Sequence, residues 1–485
     1  MVASTTGSFA PTLTGCVTLP RTNTGVNAPY FIDPTSNNWQ LGVGSSLINS
    51  GIDHATIAGV PVFDLLNVTR SQGAGYDIGA YEPITTSANS STLSLTATSN
   101  VSILNGGILT IDANTTASAL TVNSGGQLTL NNGFTLNASL LTIQADTAKS
   151  GSFVDFNTTG GLTVSGTSSV QQWLSTGRNW YVSSPVSNAS SAVVNAAGGL
   201  NKLYWYDEAH SSTNPWPQIS TNDITLQAMK GYIFNMAADG NVTFTGNFNT
   251  GSKSITVSRT TGEIKEGFNL IGNPYPSYVN WDLATKTNIS STIWYRTKAK
   301  SGSYTFDTYN AISHVGTNTN GVRAVTGLIP PMQTVWVRVD VGQSSGSVAF
   351  NNNMRSHKTE LATALKAKSL NNEIQQSVRL SVSNGINNDE TILVFNPAAS
   401  NDLDGFDSEK MSNNNSSFPE IFTSTNSKNL TINGLKTIPY DTEIPIGFTT
   451  LSAGNFKIIA SDVKNISQET LLVLKDNYTG AQTNL

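Results

Sequence analysis

The sequence predicts an all-β protein divided into several domains, and three observations support this. Charged residues make up only 12% of the 485 residues, whereas soluble domains carry about 25%. Their place is taken by Asn, Ser, Thr and Gly, which suit turns and exposed strand faces rather than long solvated helices. Short runs of period-two alternation recur along the chain, and a Gly-Gly turn is repeated. The length allows for about three domains, each with its own core.

Charge and cysteine content exclude several classes of protein. The net charge of -5 argues against a general nucleic-acid-binding protein, which would carry a basic face. The single cysteine, Cys16, cannot form an intramolecular disulfide, so packing and strand pairing must supply the stability. No segment approaches the ~20 continuous apolar residues of a transmembrane helix, and the first residues lack the basic and apolar regions of a signal peptide.

Residues 1–84 form the first predicted domain. Short apolar runs at 30–33 (YFID), 38–41 (NWQL) and 47–48 (LI) are separated by glycines, which permit tight corners between coils. The domain ends at residues 77–82 (DIGAYE). On these residues it resembles the closing coils of a right-handed parallel β-helix, in the choice-of-anchor Q-like group of surface proteins. The resemblance implies a cap that shields the last open edge of the helix.

Four charged residues fall in this predicted cap: Asp64, Arg70, Asp77 and Glu82. We interpret them as structural residues, with an Asp–Arg bond holding the cap closed. The alternative is catalysis, because several β-helix families are polysaccharide lyases or hydrolases and paired carboxylates can act as general acid and base. Those active sites lie along the middle coils, which favours the structural interpretation.

Residues 85–170 contain an internal repeat. Residues 106–111 (GGILTI) recur nineteen positions later as 125–130 (GGQLTL), and residues 160–164 (GGLTV) are a third copy. A Gly-Gly turn followed by a short alternating strand predicts a few coils of a β-solenoid. We expect this segment to be a spacer.

Residues 171–350 are predicted to form an aromatic-rich β-sandwich. Two segments, 178–185 (RNWYVSSP) and 267–276 (GFNLIGNPYP), each predict an inner strand that ends in a Pro-locked turn. Four aromatic residues are candidates for a sugar-stacking platform, and packing inside the sandwich is the alternative. They are Trp205, Tyr206, Trp216 and Trp294. Because Trp205 stands between two tyrosines, alternation places it on the opposite face of its strand.

Residues 351–373 are the predicted linker, and residues 374–485 are a second predicted β-sandwich. An ordered series in the latter comprises 388–391 (NDET), 404–407 (DGFD), 419–423 (PEIFT) and 444–448 (IPIGF). The series resembles the last β-sandwich that many surface proteins of Bacteroidetes-type bacteria carry ahead of a type IX secretion sorting domain. We expect the chain to be a fragment, since residues 471–476 (LLVLKD) predict a strand whose hairpin partner is lost.

Metal and modification sites are suggested by two short patterns. Asp402, Asp404 and Asp407 are alternate carboxylates that could bind calcium, the one cofactor that the sequence suggests; a turn is the alternative interpretation. Asp146-Thr147-Ala148 matches the short pattern that such bacteria use for O-glycosylation, with Thr147 as the acceptor. The four histidines are far apart, and no hydrolase, zinc or phosphate-loop motif occurs.

The sequence favours a non-catalytic portion of a secreted protein that serves in structural display or adhesion, located extracellularly or on the outer-membrane surface. The expected partners are a polysaccharide or a host or biofilm surface, together with the secretion machinery through a sorting domain outside this chain. One alternative is an accessory part of a carbohydrate-active β-helix enzyme with its catalytic coils upstream. Another is a glycan-binding module in the aromatic domain.

Overall fold

The computed structural model is all-β, with 49% strand and 3% helix, which confirms the predicted fold class. It describes residues 31–33, 38–41, 85–87, 100–193, 203–299, 301–319, 321, 324–357, 375–413, 415–440 and 443–485. The chain divides into two compact units, Met1–Gln171 and Gln172–Leu485. Cys16 and the predicted cap residues Asp64, Arg70, Asp77 and Glu82 lie outside the described residues.

The first unit consists of short strands. They are β1 (Phe31–Asp33), β2 (Asn38–Leu41), β3 (Thr85–Ser87), β4 (Asn100–Ile103), β5 (Ile108–Ile111), β6 (Thr115–Val122), β7 (Gln127–Leu130), β8 (Leu136–Ile143), β9 (Ser152–Asp155) and β10 (Leu162–Leu174), the last of which continues into the second unit. Strands β1 and β2 form an antiparallel pair.

Two parallel sheets, β3-β5-β7-β9 and β4-β6-β8-β10, build a solenoid of about three turns. The nineteen-residue repeat sets its register, because Ile108 on β5 pairs with Gln127 on β7. Leu109 and Leu128, which pair in the same ladder, are both fully buried. Stacked aliphatic residues of successive coils therefore form the interior, and the predicted solenoid is confirmed.

The third predicted copy of the repeat, residues 160–164, does not stack on the first two copies. Residues 160–164 lead into β10, which pairs with β8 in the other sheet, with Leu162 opposite Leu136. The coil that stacks on β7 is β9, where Ser152 pairs with Gln127. A Cβ at Gly151, just before β9, would lie 2.7 Å from the Val122 carbonyl oxygen. A single glycine thus meets the steric requirement of the corner, so the Gly-Gly pair was too strict a signature.

The middle domain is built from sixteen antiparallel strands and three short 3-10 turns. The turns are Glu208–His210, Trp281–Leu283 and Asn352–Met354. The strands are β11 (Asn179–Val182), β12 (Leu203–Trp205), β13 (Gln218–Ile219), β14 (Tyr232–Asn235), β15 (Gly240–Thr245), β16 (Lys253–Ser258), β17 (Phe268–Gly272), β18 (Tyr278–Asn280), β19 (Thr285–Thr287), β20 (Thr292–Lys298), β21 (Tyr304–Asn310), β22 (Val315–Gly316), β23 (Leu328–Ile329), β24 (Thr334–Arg338), β25 (Ser345–Phe350) and β26 (Arg355–Ser356).

Fifteen of these strands, all except β15, form four sheets around a large apolar core. The sheets run β11-β14-β12-β13, β16-β25-β19, β17-β24-β20-β21-β22 and β23-β18-β26. Trp281, Tyr275 and Phe350 are fully buried members of the core. Because β26 pairs with β18, residues 351–357 belong to this domain rather than to the predicted linker. The rest of that linker, residues 358–373, lies outside the described residues.

The two Pro-terminated segments of the middle domain pack on each other. Asn273 donates from its amide nitrogen to the carbonyl oxygens of Ser277, Ile329 and Pro330 at 2.7, 3.0 and 2.9 Å. The Ser183 hydroxyl donates to the Asn273 carbonyl oxygen at 2.6 Å. A Cβ at Gly272 would lie 2.1 Å from that of Ser183. Each segment therefore forms part of the other's buried environment.

The C-terminal domain is built on one seven-stranded sheet and a hairpin. Its strands are β27 (Gln376–Ser383), β28 (Asn388–Phe395), β29 (Ser408–Glu409), β30 (Glu420–Thr425), β31 (Lys428–Leu435), β32 (Ile446–Thr449), β33 (Lys457–Lys464), β34 (Val473–Lys475) and β35 (Gln482–Asn484). The sheet order is β32-β30-β31-β28-β27-β33, with β29 paired to β31. All pairings are antiparallel except that of β28 with β31.

Two features of this domain, its terminal hairpin and the burial of β28, were not predicted from the sequence. The hairpin partner predicted to be lost is present, because β34 pairs with β35 across Val473 and Asn484. Strand β28 is buried on both faces: Leu393 joins the domain's own core, while Ile392 packs in a cluster with Val315 of the middle domain. One face of the sheet is therefore covered by the middle domain.

Candidate functional site

The four candidate aromatic residues do not form one platform. Trp294 is only 1% exposed, and its indole nitrogen donates to the Glu409 carbonyl oxygen at 3.0 Å. Tyr206 and Trp216 pack edge-to-face with ring centroids 5.0 Å apart, and both also contact Trp336. For these three candidates the geometry matches the packing alternative.

Trp205 lies apart from the other three candidates, and strand alternation predicts its separation from Tyr206. It lines a cavity of about 320 Å³ on the opposite face of β12 from Tyr206. The lining consists of neutral polar groups, two isoleucines, two aromatic rings and one lysine. These residues are Trp205, Gln218, Ile219, Ser220, Thr221, Ile224, Thr225, Gln227, Lys230 and Tyr232.

Lys230 supplies the positive charge of this cavity. Its ammonium nitrogen lies 3.5 Å from the centroid of the Trp205 ring, in a cation–π contact. Burial lowers the pKa of Lys230, and the negative charge of Asp207 partly opposes this. Among the described residues no carboxylate lies within ion-pair distance of the Lys230 ammonium. The cavity thus holds a partly desolvated cation whose contact is with an aromatic face.

The backbone around Lys230 is fixed by its neighbours. Met229 is fully buried and adopts a left-handed φ of +63°, and its carbonyl oxygen accepts a hydrogen bond from the Gly272 N–H at 2.8 Å. A Cβ at Gly231 would lie 2.5 Å from the Leu270 Cγ, so this position requires glycine. Such close packing fixes the backbone at Lys230 before any ligand arrives.

The opposite wall of the cavity is held by two adjacent serines. The Ser190 hydroxyl donates to the Asn222 carbonyl oxygen, and the Ser191 hydroxyl donates to that of Thr221 at 2.6 Å. On the floor, the Gln227 N–H donates to the Tyr232 hydroxyl at 2.9 Å. The cavity is therefore a preformed site, whose loops are held by hydrogen bonds at both ends.

The three candidate calcium ligands belong to a compact turn. Asp404 accepts from the backbone N–H groups of Ser400 and Phe406 at 2.6 and 2.7 Å. Asp407 accepts from those of Asp404 and Gly434, both at 2.8 Å. Asp402 accepts from the Asn426 amide at 3.3 Å. Burial raises the pKa of Asp407 to about 6.

These carboxylates accept hydrogen bonds from N–H donors, so their arrangement fits a turn better than a calcium loop. Calcium would need several of these oxygens to converge on one point. In the part of the chain that the structure describes, no group of three or more His, Cys, Asp or Glu residues is placed to hold a metal ion.

Two segments of the ordered series, 388–391 (NDET) and 419–423 (PEIFT), meet in a buried polar network. Asp389 receives a salt bridge from Lys410, with side-chain exposures of 1% and 6%. The same carboxylate oxygen accepts from the Ile421 N–H at 2.8 Å. Glu390 pairs with Arg379 at 2.5 Å and accepts from the Asn318 N–H of the middle domain at 2.8 Å. Segments distant in sequence are thus joined through charged groups.

One cluster was missed by sequence reasoning. Tyr309 donates to the Asp282 carboxylate at 3.0 Å, and His314 lies 3.3 Å from the same carboxylate. The hydrogen bond to Asp282 raises the pKa of His314, and His314 has a left-handed φ of +54°. The group can exchange a proton at the exposed imidazole. No sequence motif marks it, because its members come from three separate elements.

Thr147 stands at the tip of an exposed turn of the first unit. Asp146 accepts from the N–H groups of Ala148 and Lys149, both at 2.8 Å, and residues 146–149 are exposed. An acceptor at this place is accessible to a transferase. O-glycosylation of Thr147 stays a prediction.

Fold and site define the class of protein: a modular all-β protein with a solenoid, two joined domains of mainly antiparallel strands and a small preformed polar cavity. The chain belongs to the family described as Domain of unknown function (DUF8693), whose model matches residues 81–485. No curated protein and no solved structure gives a significant match. Among the described residues, no helix has the length and apolar character needed to cross a membrane.

Proposed function

We propose that this chain is a non-catalytic display and adhesion scaffold of a secreted cell-surface protein, of the Bacteroidetes type IX secretion class. The observation that carries the proposal is the buried, hydrogen-bonded interface between the middle and C-terminal domains. A scaffold that holds a binding surface away from the cell must resist bending between its domains. Domains within one chain usually meet through small interfaces and move relative to each other, so an extensive buried interface favours this role.

Asn310 is the centre of that interface. It is fully buried, and its amide nitrogen donates to the Gly405 and Asp407 carbonyl oxygens at 3.0 and 3.2 Å. The same nitrogen lies 3.1 Å from the Ser408 hydroxyl. Its amide oxygen accepts from the Ile312 N–H of its own domain at 2.8 Å. One side chain therefore ties both domains together.

Further contacts extend the interface along β20 and β24. The Thr292 and Ser408 hydroxyls hydrogen bond at 2.7 Å in a buried setting. Glu409 accepts from the Trp294 indole through its carbonyl oxygen and forms a salt bridge with Arg338 through its carboxylate. Buried polar contacts of this kind fix one relative arrangement, because any shift would leave them unpaired.

We expect Asn310→Asp to uncouple the two domains. The substitution keeps the oxygen that the Ile312 N–H needs, but it places a carboxylate oxygen against carbonyl acceptors of the C-terminal domain. Seven of the eight tryptophans lie between residues 173 and 336, so fluorescence reports the middle domain and hydrogen exchange of residues 375–485 reports the other. The natural chain should show coincident unfolding by both probes in guanidinium, and the variant should show two separated transitions.

Asn269→Asp is the matched control for this experiment. The Asn269 amide donates to the Ser258 and Gly267 carbonyl oxygens, both within the middle domain. This variant should lose stability without separating the transitions. Coincident transitions in Asn310→Asp would show that the interface does not couple the domains.

Surface location is tested directly on the native cells. An antibody raised against residues 172–485 should label intact cells, and protease added outside should remove the signal. A periplasmic or cytoplasmic marker protein, which should stay unlabelled and protected on intact cells, serves as the control for cell integrity. Labelling that needs lysis would contradict the proposal.

A further inference from the structure

We infer that the cavity beside Trp205 binds a carboxylate-bearing saccharide of the uronic-acid type, with Lys230 as the group that pairs with the carboxylate. The inference rests on the adhesion part of the proposed function and names the ligand class for it. Three observations carry it: the unneutralised lysine in the cavity wall, the chemistry of the remaining lining, and the size and rigidity of the site.

The Lys230 ammonium is the basis for expecting an anion. It is partly withdrawn from water against the Trp205 ring at 3.5 Å, and no described carboxylate pairs with it. The nearest acidic influence, Asp207, is itself engaged with His210 at 2.8 Å. A ligand carboxylate would supply the counter-charge and a charge-assisted hydrogen bond, which is about twice as strong as a neutral one.

The rest of the lining indicates a saccharide. Gln218, Ser220, Thr221, Thr225 and Gln227 bring neutral hydroxyl and amide groups to the cavity, and such groups match the many hydroxyls of a sugar ring. Ile219 and Ile224 add apolar surface that suits the C–H faces of the ring. An acidic peptide side chain would pair with the lysine but would contact fewer of these hydroxyl and amide groups than a sugar ring would.

Size and rigidity agree with a short segment of a polymer. The cavity volume of about 320 Å³ is at the lower end of the ~300–1,000 Å³ of small-molecule sites, which is room for a monosaccharide or small disaccharide. Both walls are fixed by the close packing at Gly231 and the bonds of Ser190 and Ser191. Little ordering is then required when the ligand binds.

The contact between Lys230 and Trp205 also changes the role of the tryptophan. Because the ammonium lies over the ring, this face is not open to a stacked sugar. Trp205 instead acts as the positioning residue that holds the ammonium in the cavity. The lysine, rather than an aromatic platform, is therefore the main determinant of ligand choice.

The test measures binding of the full chain to oligogalacturonides by calorimetry, with the fully methyl-esterified oligomers as neutral probes of the same length. The natural chain should bind the acid form and bind the ester at least about tenfold more weakly, since the ester removes a charged partner. Lys230→Gln should weaken binding of the acid form by a similar factor, and Trp205→Ala should weaken it as well. Lys298→Gln, at an exposed lysine on β20, is the control and should bind as the natural chain does.

Each contrary outcome overturns the inference. Equal binding of acid and ester forms would exclude carboxylate recognition, and this comparison needs no variant, so it holds even if Lys230→Gln fails to fold. Equal affinity for poly-glutamate with the same loss in Lys230→Gln would assign the site to acidic peptides. No binding to either oligomer would reject the ligand class while leaving the scaffold proposal to the surface-labelling experiment.

Discussion

Asp389→Asn should lower the free energy of unfolding of the C-terminal domain by about 3 kcal/mol or more, because removing one partner leaves a buried charge uncompensated. The asparagine has the shape of the aspartate and keeps an oxygen that can accept from the Ile421 N–H, which lies 2.8 Å from the carboxylate. The substitution therefore removes the charge opposite Lys410, and it places the amide nitrogen where the second, buried carboxylate oxygen has no hydrogen-bond partner. Chemical unfolding followed by hydrogen exchange of residues 375–485 measures the effect.

Two further variants isolate the charge effect. Adding Lys410→Met to Asp389→Asn should recover most of the lost stability, since the unpaired ammonium, 6% exposed in the natural chain, is then absent. Asp462→Asn breaks the ion pair with Lys464 on the surface of the same domain, where the side chains are 38% and 60% exposed. That control should change the stability by less than about 1 kcal/mol. If Asp389→Asn behaved like this control, the buried pair would not stabilise the domain.

His357 should make the middle domain lose stability as the pH falls from about 6 to about 3. Its side chain is fully buried, and burial together with the positive charge of Arg355 lowers its pKa from 6.5 to about 3. Below pH 6.5 the unfolded chain therefore binds a proton that the folded chain does not. The expected slope is about 1.4 kcal/mol per pH unit, and above pH 7 the group contributes no pH dependence.

The measurement compares the natural chain with His357→Gln by denaturant unfolding at several pH values, with tryptophan fluorescence as the probe. The stability of the variant must be subtracted from that of the natural chain because Asp407 has the opposite effect on stability. Its pKa is raised to about 6, so the folded chain takes up this proton before the unfolded chain does as the pH falls. The difference between the two chains cancels Asp407 and should retain the His357 slope. Parallel stability curves for both chains would show that His357 is not buried in its neutral form.

The sequence patterns were strongest where they reported a backbone constraint. The nineteen-residue repeat predicted the stacking of β5 on β7 because each coil of a solenoid repeats the same corner and the same inward aliphatic residues. It failed for the third coil, since that corner needs only Gly151 to avoid the Val122 carbonyl. A pattern that records two glycines misses a position where the chain meets the requirement with one.

The polar motifs were less informative than the glycine corners. The DGFD residues suggested either metal ligands or a turn, and in the structure Asp404 and Asp407 accept backbone N–H groups of their own domain. The sequence of the NDET segment does not reveal its ionic partners, because Lys410 and Arg379 come close to it only when the strands pair. Carboxylates in sequence look the same whether they bind a metal, close a turn or pair with a buried cation.

By itself the sequence determined the all-β class, the solenoid register and the separation of Trp205 from its neighbouring tyrosines, because alternation and glycine corners are local properties of the chain. Only the tertiary structure decided which aromatic rings are buried, that the middle and C-terminal domains share an interface, and that Lys230 lies against Trp205 in a cavity. Those features depend on side chains that distant strands bring together. No local pattern carries that information, since each contact is set by the packing of several elements at once.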